Sequence, residues 1–197
     1  MDERDKMNEA AGSPREQQFP EGDVIRILLD QHQLIRALFA EVGSARNEEK
    51  QKAFDLLRSL LAVHEVAEEM IVRPVTSGEA RDVADARNHE EAEATTVLAE
   101  LERMDIESAE WQVKFEFLQR AVEQHADHEE AEEFPLVAAK CGPDQRKAMG
   151  ARLELVERMA PTHAHPSTAG SPIANWLVGP FVGMLDRARD ALGGTKG

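Results

Sequence analysis

The chain of 197 residues contains no tyrosine and only one cysteine, Cys141, and its aromatic residues make up just 5% of the sequence. The lack of tyrosine excludes a tyrosinate metal ligand. A single cysteine can neither close an internal disulfide nor supply the thiolates of a zinc or iron–sulfur site. No cation cluster near Cys141 marks it as a reactive thiol. Cations are scarce too: 23 Lys and Arg stand against 38 Asp and Glu, a formal net charge of −15. Nucleic acids and anionic membrane surfaces are held by clustered Lys and Arg, so neither is expected as a partner. No run of 18 apolar residues occurs, and the N-terminal stretch has no apolar leader segment. The expected location is therefore cytoplasmic. Asn-Gly and Asp-Gly hairpin signals are missing as well, which speaks against a β fold.

What the chain does have is helical periodicity, in a composition that is 42% hydrophobic and able to bury a core. Residues 1–22 are polar, of mixed charge and broken by Gly and Pro, and are expected to form a disordered tail. Residues 23–140 divide into four amphipathic segments: about 23–43, 47–73, 79–104 and 108–140. Ser108 is placed to cap the fourth. Short connections make neighbouring helices antiparallel, which predicts an all-α, up-down-up-down four-helix bundle with additional C-terminal helices. Residues 141–197 form the extension, with a fifth helix expected from Asp144 to Met159. A Pro- and His-rich connector carrying His163 and His165 follows, then an apolar piece around Trp176, Leu177 and Phe181. That piece is expected to pack on the bundle or a partner protein, possible homo-oligomer contacts included, rather than on a membrane.

The apolar stripes of the four segments are interrupted at particular places. The first reads Ile25, Leu28, His32, Ile35, Phe39, and the second Leu57, Leu61, His64, Glu68, Ile71. The third reads Ala86, His89, Glu93, Val97, and the fourth Leu118, Val122, His125, Glu129, Leu136. Each interruption keeps the three-and-four spacing, so these polar side chains are expected to point inward. Buried polar groups need partners, and inward histidines with carboxylates satisfy one another around a metal. Counting residues from the turns, at 1.5 Å per residue, brings the four histidines to one depth within about a helical turn. A weak internal repeat supports this, because HEVAEEMIVRP (from His64) and HADHEEAEEFP (from His125) share His, Glu-Glu and Pro at the same offsets. The expected metal ligands are His32, His64, Glu68, His89, His125 and Glu129. Glu93 and His128 stand beside this set, and the acidic run from Glu129 to Glu133 is expected to be mostly a solvated face. Such donors suit iron, manganese or zinc. No histidine has an acid three residues before it, so the Glu-x-x-His pattern of ferritin-like di-iron proteins is missing.

The set His32, His64-x3-Glu68, His89, His125-x3-Glu129, with Pro74 and Pro135 each ten residues after a motif histidine, resembles the hemerythrin-like (HHE cation-binding) family over residues 23–140. The resemblance implies two non-haem iron ions with an oxo or hydroxo bridge, with Glu68 and Glu129 bridging and the histidines as terminal ligands. An open iron position would take O2, peroxide or NO. Two departures from the oxygen-carrying members stand out. Glu93 sits where their third helix has a second histidine, and both Glu129 and Glu130 follow His125 where they have one acid, five residues on. Fewer imidazoles and more carboxylates favour the ferric state. The resemblance therefore implies catalase-like peroxide decomposition with a role in oxidative stress or iron homeostasis. The alternative is a non-enzymatic sensor or carrier of O2, NO or iron.

Overall fold

The computed structural model describes residues 18–77 and 81–159. Its helices are α1 (Val24–Ser44), α2 (Asn47–Ile71), the single turn α3 (Arg73–Thr76), α4 (Arg81–Leu101), α5 (Ala109–His128), α6 (Phe134–Lys140) and α7 (Pro143–Met159). A π-helical turn, Glu129–Glu133, joins α5 to α6. There is no strand among the described residues, and the expected all-α four-helix bundle is what forms. α1 packs along α2 and α4 along α5, while α7, the expected fifth helix, lies against α1 and α2. The tail up to residue 17 lies outside the described residues. So does the extension from residue 160 onward, including the connector and the apolar piece around Trp176.

Local chemistry sets the helix boundaries. Asp23 opens α1 by accepting from the Ile25 backbone N–H at 3.1 Å, and Ser108 opens α5 by accepting from Trp111 N–H at 3.1 Å, as expected of N-caps. The second carboxylate oxygen of Asp23 accepts from Arg146 Nε at 2.8 Å, tying α7 to the start of α1. Gly22, at φ +81°, turns the chain into that cap, and its carbonyl lies directly against Gly150 of α7.

Two apolar clusters form the core. One gathers Ile35, Phe39, Phe54, Leu57, Leu101, Trp111, Phe115 and Leu118. The other gathers Ile25, Leu28, Ala67, Phe134, Val137 and Leu153, with Phe19 packed against it. Between them, on α1, α2 and α5, lie the polar interruptions of the stripes.

The fourth segment, expected to run unbroken to Lys140, instead changes register at the π-helical turn just before Pro135. Proline lacks an N–H and its ring crowds the preceding carbonyls, so α-helical bonding cannot pass through unaltered. The third segment is turned differently from the expectation. Its buried positions include Ala84, Arg87, Glu91, Thr95 and Leu98, about half a turn away from the Ala86, His89, Glu93, Val97 stripe.

Candidate metal centre

Three of the four expected histidines meet in the polar layer. His32 and His64 face each other with their Nε2 atoms 3.2 Å apart, and His125 Nε2 lies 3.1 Å from Glu129 Oε1. In each ring the opposite nitrogen is held by an acceptor. His32 Nδ1 is 3.1 Å from Glu130 Oε1, His64 Nδ1 is 2.7 Å from Gln31 Oε1, and His125 Nδ1 is 2.9 Å from Glu90 Oε2. An oxygen beside Nδ1 holds a proton there and turns Nε2 into the layer, where it can take a cation once it carries no proton, which is how metal-binding histidines are oriented. Arg36 Nη1, 3.1 Å from Glu130 Oε1, steadies the acid that holds His32.

The carboxylates complete the layer. Glu129 lies between two rings, with Oε2 3.3 Å from His32 Nε2 and Oε1 facing His125. Glu68 is buried with both oxygens lacking a hydrogen bond, and His64 Nε2 stands 3.6 Å from its Oε2. Donor atoms of His32, His64, Glu68 and Glu129 fall within 4.8 Å of one another, and so do those of Glu68, Glu91, His125 and Glu129. Glu68 and Glu129 belong to both groups, as two carboxylates shared by a pair of ions would.

The electrostatics match that arrangement. Burial and the neighbouring Glu129 push Glu68 well above the usual carboxylate range. Burial would do the same to Glu129, but His125 and His32 outweigh it and hold Glu129 well below that range. Burial and the nearby His32 push His64 down to about 3. For His125, burial is overcome by Glu129 and Glu90, which push it up to about 10. A carboxylate such as Glu68, buried with no donor to satisfy it, is costly. A cation between its oxygens and the converging Nε2 atoms removes that cost, so the donors fit a metal pair.

His89 is not in this layer. Its side chain is 77% exposed, beside a 67% exposed Glu93. The rotation of α4 about its axis differs from the expected one. Glu91, two residues on, points inward instead, so the acid from this helix is Glu91 and not Glu93. The acidic run also differs from the expected solvated face: Glu129 and Glu133 are fully buried, Glu130 holds His32, and Glu132 is the one turned to water. His128 flanks the layer, sharing Glu90 with His125 through a 2.9 Å contact.

Sequence reasoning missed Gln31, Glu90, Glu91, Glu133 and Arg73. An available signal was the spacing of Arg87, Glu91 and Thr95 between Ala84 and Leu98. It is helical, but carried by polar residues that an apolar count passes over. Arg73 is buried and paired with Glu91, Glu129 and Glu133. It occupies the place in the first repeat that Phe134 occupies in the second.

Fold and donors together define a helical bundle built to hold cations in its interior. The family model for the hemerythrin HHE cation binding domain matches residues 23–137, and the chain belongs to this family. An uncharacterized hemerythrin-like protein of Schizosaccharomyces pombe is 25% identical over 136 residues, 67% of each chain. The crystal structure of a hemerythrin HHE cation binding domain-containing protein from Mycobacterium kansasii shares the fold. Its TM-score is 0.60 at 22% identity, covering 66% of this chain and 85% of that one. No helix among the described residues is long and apolar enough to cross a membrane.

Proposed function

We propose that this chain is a hemerythrin-like non-haem di-iron protein that binds or turns over O2 or peroxide, with catalase-like peroxide decomposition as its activity. The observation that carries the reading is the pair of ligand groups sharing Glu68 and Glu129. His32 and His64 would hold one ion, His125 and Glu91 the other. Against the three histidines lies a cavity of about 20 Å³, whose other walls are Ile35, Arg36, Val122, Glu123 and Ala126. That is room for roughly one water-sized molecule. It suits O2, peroxide or NO.

When bound, an iron pair supplies the paired one-electron changes that converting two peroxides to two waters and O2 requires. The chain's own residues do the rest. Gln31, Glu90 and Glu130 fix the rings through their Nδ1 atoms, so the lone pairs need no reorientation when metal arrives. The side chains of Ile35, Val122 and Ala126 limit how much water shares the cavity. Abundant carboxylate favours the ferric state over reversible O2 carriage. A role in oxidative stress or iron homeostasis follows from that chemistry.

The test is metal analysis of freshly purified protein, followed by oxygen evolution from peroxide by the iron-loaded chain and by His64→Ala. Rapid evolution that is lost in the variant supports the reading. Less than about one ion per chain after anaerobic reconstitution refutes it. Stable, reversible oxygenation without turnover would instead make the chain a carrier or sensor.

A further inference from the structure

Arg73 has no counterpart among the expected ligands, yet its guanidinium sits at the edge of the metal centre. Two of its nitrogens are anchored away from the ligands. Nε donates to Asn88 Oδ1 at 3.0 Å, and Nη1 donates to Glu133, whose other oxygen accepts from Thr76 Oγ1 at 2.7 Å. Nη2 faces the opposite way. It pairs with Glu91 and lies 3.4 Å from Glu129 Oε1, the oxygen on the His125 side. The oxygen of Glu129 on the His32 side is Oε2. Arg73 therefore engages the group Glu68, Glu91, His125, Glu129 through two of its members, and the group containing His32 and His64 only through the far oxygen of Glu129.

The two groups differ in their need for positive charge. The first has two imidazoles and two carboxylates; the second has one imidazole and three carboxylates. Buried carboxylates require a cation, and a guanidinium stays charged at any physiological pH. Building on the metal-pair reading, we infer that Arg73 is a permanently charged resident cation of the second ligand group when metal is absent, and that it must release Glu91 for the second ion to enter. The two positions therefore fill in order, the His32–His64 position first. Anchored at Asn88 and Glu133, the guanidinium needs to give up only its Nη2 contacts, and it returns to them when the ion leaves.

The test is an anaerobic Fe(II) titration of the metal-free full chain against a chromophoric chelator, with direct metal analysis and melting curves of both forms. Wild type should bind two ions in two steps separated by about tenfold or more, because the second ion meets a positive charge already in place. Arg73→Met should tighten the second step by about tenfold or more and move the first by less than about threefold. It should also lower the Tm of the metal-free form more than that of the loaded form; a merely structural arginine would lower both alike. Should Arg73→Met not fold, Arg73→Lys keeps the charge but loses the fork, and should narrow the gap by about threefold. Glu91→Gln, which leaves both anchors intact, should bind one ion per chain. An unchanged gap in the arginine variants, equal loss of both steps, or two ions in Glu91→Gln overturns the inference. A wild type that binds two ions in a single step overturns the inference but not the metal pair, whereas one that binds none overturns both.

Discussion

Replacing Gln31 by leucine removes the acceptor from His64 Nδ1 while keeping a side chain of similar bulk. Gln31 is buried, and its 2.7 Å contact is the one that leaves His64 Nε2 free. In the metal-free protein His64 is neutral, because its pKa is pushed down to about 3. Without Gln31 its single proton can therefore move to Nε2, towards the carboxylates. Metal then has to drive that proton back to Nδ1, where it is buried without an acceptor. Such an orphaned donor costs about 1–3 kcal/mol, and at about 1.4 kcal/mol per decade this is a loss of roughly 5- to 150-fold in affinity. Loss of an oriented outer partner elsewhere weakens metal binding by about 10- to 100-fold, so that is the expected range for the first ion. Chelator competition measures it directly. Gln31→Glu, which still offers an oxygen to Nδ1, should stay within about threefold of wild type. If Gln31→Leu binds the first ion within about threefold of wild type, Gln31 does not set the tautomer of His64 and the orientation argument is wrong.

His89→Ala should leave metal content unchanged, whereas His125→Ala should lose at least one ion per chain by direct metal analysis. Equal losses in the two would contradict the observed rotation of α4. Gly150→Ala should destabilise the chain by about 1–3 kcal/mol in denaturant melts despite alanine's better helix propensity. A Cβ there would come 2.2 Å from the Gly22 carbonyl oxygen, so a neutral or stabilising result would show that α7 does not pack as described. Metal uptake near pH 7 should release protons, because His125 is pushed up to about 10 and Glu68 well above its usual range. His125 is therefore protonated at neutral pH in the metal-free protein and must deprotonate to ligate, and a proton held by Glu68 must leave as well, so affinity rises with pH. Calorimetry in buffers of different ionisation enthalpy reads the release, and identical heats would refute it.

Much of the bundle was legible because apolar spacing on α1, α2 and α5 is strong, and His32, His64, Glu68, His125 and Glu129 stand out against it. The same method failed on α4, whose inward face is Arg87, Glu91 and Thr95. Those residues are buried because they have partners on other helices, and no count along a single segment sees a partner. The π-helical turn was hidden for a related reason. Pro135 lies inside a segment whose spacing reads as continuous helix, and the register change that brings Glu129 and Glu133 inward while Glu130 reaches His32 depends on what surrounds the turn. Depth along the bundle could be counted from turn to turn, but rotation about each axis could not where the stripe was polar.

The placement of the polar layer between two separate apolar clusters has a mechanical consequence. Each cluster can hold its own end of the bundle, but the seam joining them is made of acids and imidazoles that Arg73 and His125 balance only in part, leaving Glu68 without a partner until metal sits among them. Emptying the seam should thus let the halves breathe independently, turning one cooperative melt into two and opening the waist to proteases. A cell that degrades loosened chains would then remove the unloaded copies and spare the loaded ones.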